Sequence, residues 1–235
     1  EMIDMVTTPD GSLVAMVHCN NCTSDLNAWV NLFKEYQELM GIPVDMNEIY
    51  GKLYNHALTG NADCGGLISY NYISGEPITG MEEGRPMFVR SAGDKFNLAN
   101  FMRAHLHASV GVLKIGNDIL FNEEKIRVDR ITGHGGLFKT KGVGQRILAA
   151  AINSPISVME TAGEGGAWGM ALLGSYLVNN DKGMSLEDYL EEVVFGGNTG
   201  EEIAPTKDEV AGFNAYIENY KACLPIEAAA VQAKK

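Results

Sequence analysis

Apolar residues follow two rhythms along this chain, a helical one near 3.6 and short strand-like runs set between glycine clusters. Leu26, Trp29, Val30 and Phe33 recur at helical spacing, with Thr23 or Ser24 as the cap and Gly41-Ile42-Pro43 as the stop. Met46 to Leu58 reads as a second helix ending at Gly60. A long one starts near Asn97, because Leu98, Phe101, Met102, Leu106, Val110, Leu113 and Ile119 hold the helical period as far as Asn117 or beyond. Ser185-x-x-Asp188 opens an acidic helix running to Phe195, and Thr206 to Tyr220 is amphipathic, with Val210, Phe213, Ile217 and Tyr220 inward. The strand-like runs are Met2 to Val6 and Leu13 to His18, on either side of the turn Pro9-Asp10-Gly11-Ser12, and then Gly65 to Ile73. Residues 78 to 90 carry no period and predict an irregular, exposed loop.

The densest punctuation lies between Lys125 and Leu177. Ile126 to Ile131 predicts a short strand covered on both faces, and Gly133-His134-Gly135-Gly136 follows it directly. A helix then carries Val143, Ile147, Leu148, Ala151 and Ile152 on one side. The unit recurs as the run Ile156 to Met159, the glycine loop Ala162 to Ala167, and a helix from Trp168 whose small residues suit close packing on a sheet. Two such units suit a nucleotide-sized ligand held by backbone N–H groups at strand ends. Equally, the same glycines serve as turn and packing residues. Neither loop has the GxxxxGK[ST] pattern, and Gly133-His134-Gly135 lacks the later glycine of a dinucleotide fingerprint.

Composition narrows the partners. With 235 residues, 46% of them hydrophobic, the chain has material for one large domain or two small ones, and one is the reading preferred here. Thirty acidic against eighteen basic residues give a charge of −12, which argues against a nucleic-acid partner held through phosphates. The apolar runs are too short for a membrane span and no signal peptide is legible, so a cytoplasmic location is expected. Of Cys19, Cys22, Cys64 and Cys223, the first two have CxxC spacing. That spacing serves redox chemistry or half a zinc site, but no second pair completes four ligands, and reduced bystander cysteines are the plainer reading. His105 and His107, two positions apart, face different sides of a helix and are expected to be surface or packing residues rather than to share a metal. The acidic helix faces read as solvated.

Four segments, in order, resemble the FGGY carbohydrate kinases. Gly65-Gly66-Leu67-Ile68-Ser69-Tyr70-Asn71-Tyr72-Ile73-Ser74-Gly75-Glu76 resembles their "GLLFLPYLSGER", and Leu98 to His107 their "HLLRAVLEG" helix. Thr132 to Gln145 is similar to the adenosine loop "GGGAxSxxWxQ", and Glu160 to Leu177 to the "GAALGAAxLA" segment after it. The resemblance implies an α/β fold, a ribonuclease-H-like or actin-like ATPase domain of three α/β/α layers with a mixed sheet. Residues 1–235 would form the carboxy-terminal lobe of such a kinase, with the sugar-binding lobe, its catalytic aspartate and its "GTS" loop upstream of Glu1. It further implies that Gly133, Gly135 and Gly136 lie against the nucleotide, with Leu137 and Thr140 near adenine or ribose and Gln145 matching the family's helix glutamine. No catalytic residue or metal ligand is expected in this segment. Mg²⁺ would be held by phosphates and the other lobe.

The implied activity is transfer of the ATP γ-phosphate to a sugar hydroxyl, most often on a ketopentose such as xylulose. ATP, ADP and the sugar are the expected partners, a homodimer stays open, and the segment by itself is expected to be inactive. An actin-like ATPase without a sugar, such as an activator, is the alternative, as is a non-catalytic binding or oligomerisation module of the same fold. Departures from the family pattern are His107-Ala108 for the usual Glu-Gly, Gly84 to Ser91 for "RGxFxGL", His134 within the glycines, and Gly142 and Gly144 in place of bulky residues. They imply a divergent subfamily or an altered nucleotide affinity.

Overall fold

The computed structural model describes residues 3–160, 165–180, 183–197 and 200–233. Strands β1 (Asp4–Thr7) and β2 (Leu13–Met16) form an antiparallel hairpin about the expected turn. Helices α1 (Ser24–Leu39) and α2 (Met46–Ala57) follow. Strand β3 (Ile68–Tyr70) pairs antiparallel with β4 (Met87–Val89). Helix α3 (Leu98–Asp118) then crosses the molecule. The mixed sheet contains β5 (Ile131–Thr132), parallel to β6 (Ile156–Val158), which is antiparallel to β7 (Glu201–Ile203), while helix α4 (Val143–Ile152) connects β5 to β6. Helices α5 (Gly165–Asn179), α6 (Leu186–Tyr189) and α7 (Lys207–Gln232) complete the chain.

The core is organised on α3, which packs against α2, α4 and β3 and is buried almost all round from Ala99 to Val112. Such a helix must satisfy its polar side chains internally. Asn97 caps it by accepting from the backbone N–H of Asn100. Asn100 in turn accepts from the N–H of Asn61 and donates to the Lys95 carbonyl. Arg103 donates to the carbonyls of Leu58 and Gly60, clamping the end of α2. Arg103 Nε also points at Nε2 of His107 at 3.4 Å, so the ring proton of His107 sits on Nδ1, facing Cys64 Sγ at 3.3 Å. His105 exchanges a 2.8 Å hydrogen bond with Ser69. Both histidines are packing residues, as expected, and the departure at His107 is absorbed in the core against Phe213 and Tyr216.

Helix α7 brings Phe213, Tyr216, Ile217 and Tyr220 into the core, and the tail continues it past Pro225 to Gln232. Its start is a capping box in which Thr206 and Glu209 satisfy each other's backbone N–H. The cap expected before α1 falls on Thr23, whose side chain makes no capping bond.

Several sequence expectations are corrected. Residues 126 to 130 form no strand: Ile126 and Val128 are exposed, and the ladder begins only at Ile131, where β6 offers a partner. The run from Gly65 to Ile73 is a strand only over Ile68–Tyr70. Residues 78 to 90 are not irregular throughout, because Met87–Val89 completes a pair with β3 and Pro77–Thr79 forms a helical turn. The small residues of α5 do not seat it on the sheet. None of its described residues is buried, and Gly166, Gly169 and Gly174 have nothing within contact of a modest side chain. Of the loop before it, residues 161–164 lie outside the described residues.

Candidate functional site

The glycine loop is built on the end of β5. The N–H of Gly133 donates to the Ser157 carbonyl at 2.8 Å, extending the parallel ladder by one step. A Cβ on Gly133 would lie 2.5 Å from the Phe138 ring, so glycine is what lets the loop fold back over itself. Gly135 turns the chain with φ +108° into the helical turn Gly136–Phe138. Gly144, in the first turn of α4, admits the Leu137 carbonyl where a Cβ would stand 2.6 Å from that oxygen. Residues 133 to 144 therefore form a short, tightly returned loop whose outer edge is Gly136, Lys139, Thr140 and Lys141.

That edge borders a cavity of about 570 Å³. The other wall comes from a distant part of the chain: Thr23 and Asn27 at the start of α1, and Asn47, Tyr50, Gly51 and Tyr54 of α2. Asp45 caps α2 by accepting from the N–H groups of Asn47 and Glu48. Tyr50 donates its hydroxyl to Asn27 Oδ1 at 2.9 Å, and the Tyr54 ring meets Tyr50 edge-on at 5.5 Å. Burial pushes both phenols above their ordinary value, so they stay protonated donors. The approach to α1 is fixed by Glu76, whose fully buried carboxylate accepts from the N–H groups of Asn20 and Asn21 and from the Asn21 amide.

The expected site residues divide. Gly136 and Thr140 line the cavity. Gly133 and Leu137 are buried in the loop's foundation, and Gly135 makes the turn. Gln145 is buried, donating to the carbonyls of Ile156 and Glu201, and borders a second hollow of about 340 Å³ beyond the loop. Lys139 and Lys141 border both hollows, and Lys141 pairs with Glu201 at 2.9 Å. Asn27, Tyr50 and Tyr54 were not legible as site residues, since a Tyr pair four positions apart on a helix reads as packing.

A volume of about 570 Å³ is in the range of small-ligand pockets. With two lysines, two amides and hydroxyl groups, the lining suits an anionic, hydrogen-bonding ligand such as a nucleotide. It holds no carboxylate, so it does not fit a resident Mg²⁺, which favours oxygen anions. Among the described residues no group of three or more His, Cys, Asp or Glu could hold a metal ion. Cys19 and Cys22 are free thiols, and burial, then the nearby Glu76, pushes Cys19 up to about 12. That is the reverse of a reactive thiolate. A larger apolar hollow, about 1120 Å³, lies between α1 and α2 along Leu32, Tyr36, Leu39, Ile42 and Leu53, and none of the expected site residues lines it. No described helix is long and apolar enough to cross a membrane.

Comparison with known proteins agrees with the architecture. Xylulose kinase from Rhodospirillum rubrum superposes with a TM-score of 0.67 at 18% identity, over 96% of this chain and 42% of that one. The ligand-bound xylulose kinase from Lactobacillus acidophilus gives 0.65 at 19% identity, over 95% and 42%. Plasmodium falciparum glycerol kinase with ADP gives 0.55 at 14% identity, over 84% and 37%. The chain thus spans less than half the length of these solved relatives, and it shares their actin-like ATPase fold. A search of curated protein sequences found no match. The model of the FGGY family of carbohydrate kinases, C-terminal domain, matches residues 1–178, and by that match the chain belongs to the FGGY family.

Proposed function

We propose that residues 1–235 form the nucleotide-binding lobe of an ATP-dependent carbohydrate kinase. The whole enzyme would transfer the γ-phosphate to a sugar hydroxyl, on a ketopentose such as xylulose. The observation that carries this reading is the cavity between the glycine loop and helices α1 and α2, where Gly136, Lys139, Thr140 and Lys141 face Asn27 and Tyr50. Here the lysines offset phosphate charge and the loop brings backbone close to the ligand. Mg²⁺ would arrive with the nucleotide, bound by its phosphates and the other lobe. Phosphoryl transfer also needs a base for the sugar hydroxyl, and this lining has no carboxylate to serve as one. The chain alone is therefore expected to release no ADP in response to xylulose in a coupled assay, and sugar-dependent turnover would overturn that division of labour.

Gly136 provides the direct test of the site. A Cβ there meets nothing within 4 Å, so the fold tolerates a side chain that would project from the loop edge. Gly136→Phe should weaken ADP affinity in calorimetry by about tenfold or more, through exclusion from a filled pocket, with the melting temperature of the free chain unchanged. Unchanged affinity would remove this cavity as the nucleotide site. Failure of the unmodified chain to bind ATP or ADP would favour a non-catalytic module of the same fold.

A further inference from the structure

The wall opposite the glycine loop contains a side chain whose chemistry the nucleotide assignment leaves unused. Tyr50 donates its hydroxyl to Asn27 Oδ1 at 2.9 Å, which fixes the orientation of the Asn27 amide. Tyr54 holds the Tyr50 ring edge-on at 5.5 Å, so the donor is itself braced. Among the described residues, Asn27 Nδ2 has no hydrogen-bond partner. Asn27 and Tyr50 both line the cavity with Gly136 and Thr140. The pair therefore presents to that space an amide of fixed orientation, with both N–H donors and one carbonyl lone pair uncommitted.

Such a group distinguishes purines. Adenine places its N6 donor beside a ring-nitrogen acceptor, the complement of an amide, and an asparagine makes two hydrogen bonds to it. Guanine seated in the pose adenine takes has a carbonyl oxygen where adenine has the amino group, so the amide oxygen would face another acceptor with no proton between them. Resting on the nucleotide reading of this cavity, we propose that Asn27 is the base-selecting residue, favouring adenine over guanine nucleotides, and that Tyr50 is the positioning residue that orients it.

The test is calorimetry of the chain with MgADP and with MgGDP. The unmodified chain should prefer ADP by about tenfold or more, the discrimination expected of one amide–adenine pair. Asn27→Ala should bring the two dissociation constants to within about threefold, chiefly by weakening ADP. Asn27→Asp, nearly the same shape but an acceptor only, should lose the ADP preference or reverse it, since a carboxylate can accept from guanine N–H groups, and guards against a packing effect. Tyr50→Phe should lower the ADP-to-GDP ratio with the melting temperature held, whereas a merely structural role would weaken both nucleotides equally. Equal binding of the two by the unmodified chain, or a ratio retained in Asn27→Ala, overturns the proposal while leaving the nucleotide site standing. No binding of either nucleotide overturns the site reading and this proposal with it.

Discussion

At the scale of single residues, buried polar groups decide where this chain bends and how it responds to acid. Glu76 organises the entry to α1, because three N–H donors of Asn20 and Asn21 converge on its carboxylate. The CxxC segment is thus a turn shaped around an anion. His105 and His107 have the opposite character. Burial lowers His105 to about 3, and burial followed by the Arg103 guanidinium pushes His107 well below its usual value. Both are neutral in the fold, while the unfolded chain protonates them near pH 6.5. Stability from their neutral burial is complete above about pH 6.5 and is lost as pH falls toward 3, because the unfolded state then binds more protons. Urea titrations should show a decline starting near pH 6, before the carboxylates titrate. His105→Gln should reduce that slope, by up to about 1.4 kcal/mol per pH unit for one fully coupled site. A stability flat from pH 7 to 5 would contradict this account.

At the scale of elements, the fold depends on a helix that lies beyond the family match. That match ends at residue 178, yet α7 supplies Phe213, Tyr216, Ile217 and Tyr220 to the core and its Tyr216 hydroxyl reaches the carbonyls of Ser69 and Ala104. Losing one buried aromatic costs about 3–5 kcal/mol, and several together exceed the stability of an ordinary domain. A chain ended after Ala204 should lack the cooperative thermal transition of the full chain, as read by circular dichroism; a retained transition would show that α7 is dispensable. Helices of this kind were legible in the sequence because their period of 3.6 is local, as was the cap at Ser185, whereas the side-chain caps at Asn97 and Thr206 are seen only in the structure. Strand ends were not. Residues 126 to 130 have strand-like composition but no neighbour to pair with, and β4 and β7 are three-residue strands defined only by partners far along the chain. The apolar character of α5 was legible, but its unburied position was not, since hydropathy says nothing of what stands beside a helix.

At the scale of the whole molecule, half of the candidate site was legible and half was not, for the same reason. The loop wall is contiguous in sequence and announces itself through Gly133, Gly135 and Gly136, whereas the wall of Asn27 and Tyr50 is brought there only by the packing of α1 and α2. A ligand between the two walls therefore ties residues 23–54 to residues 136–141, and binding should stabilise the molecule as a unit. A ligand held only by the native state adds about 2.7 kcal/mol at one hundred times its dissociation constant. For a chain of this size that corresponds to a rise of about 5–10 °C in melting temperature. ADP at that excess should give such a rise, and hydrogen exchange should slow together in α2 and in the loop after β5. At the same ADP concentration Gly136→Phe should show at most about half of that rise, since a tenfold weaker site keeps only about 1.4 kcal/mol of the stabilisation. If ADP protected the loop without protecting α2, the nucleotide would be held by one wall alone and the cavity would not be its site.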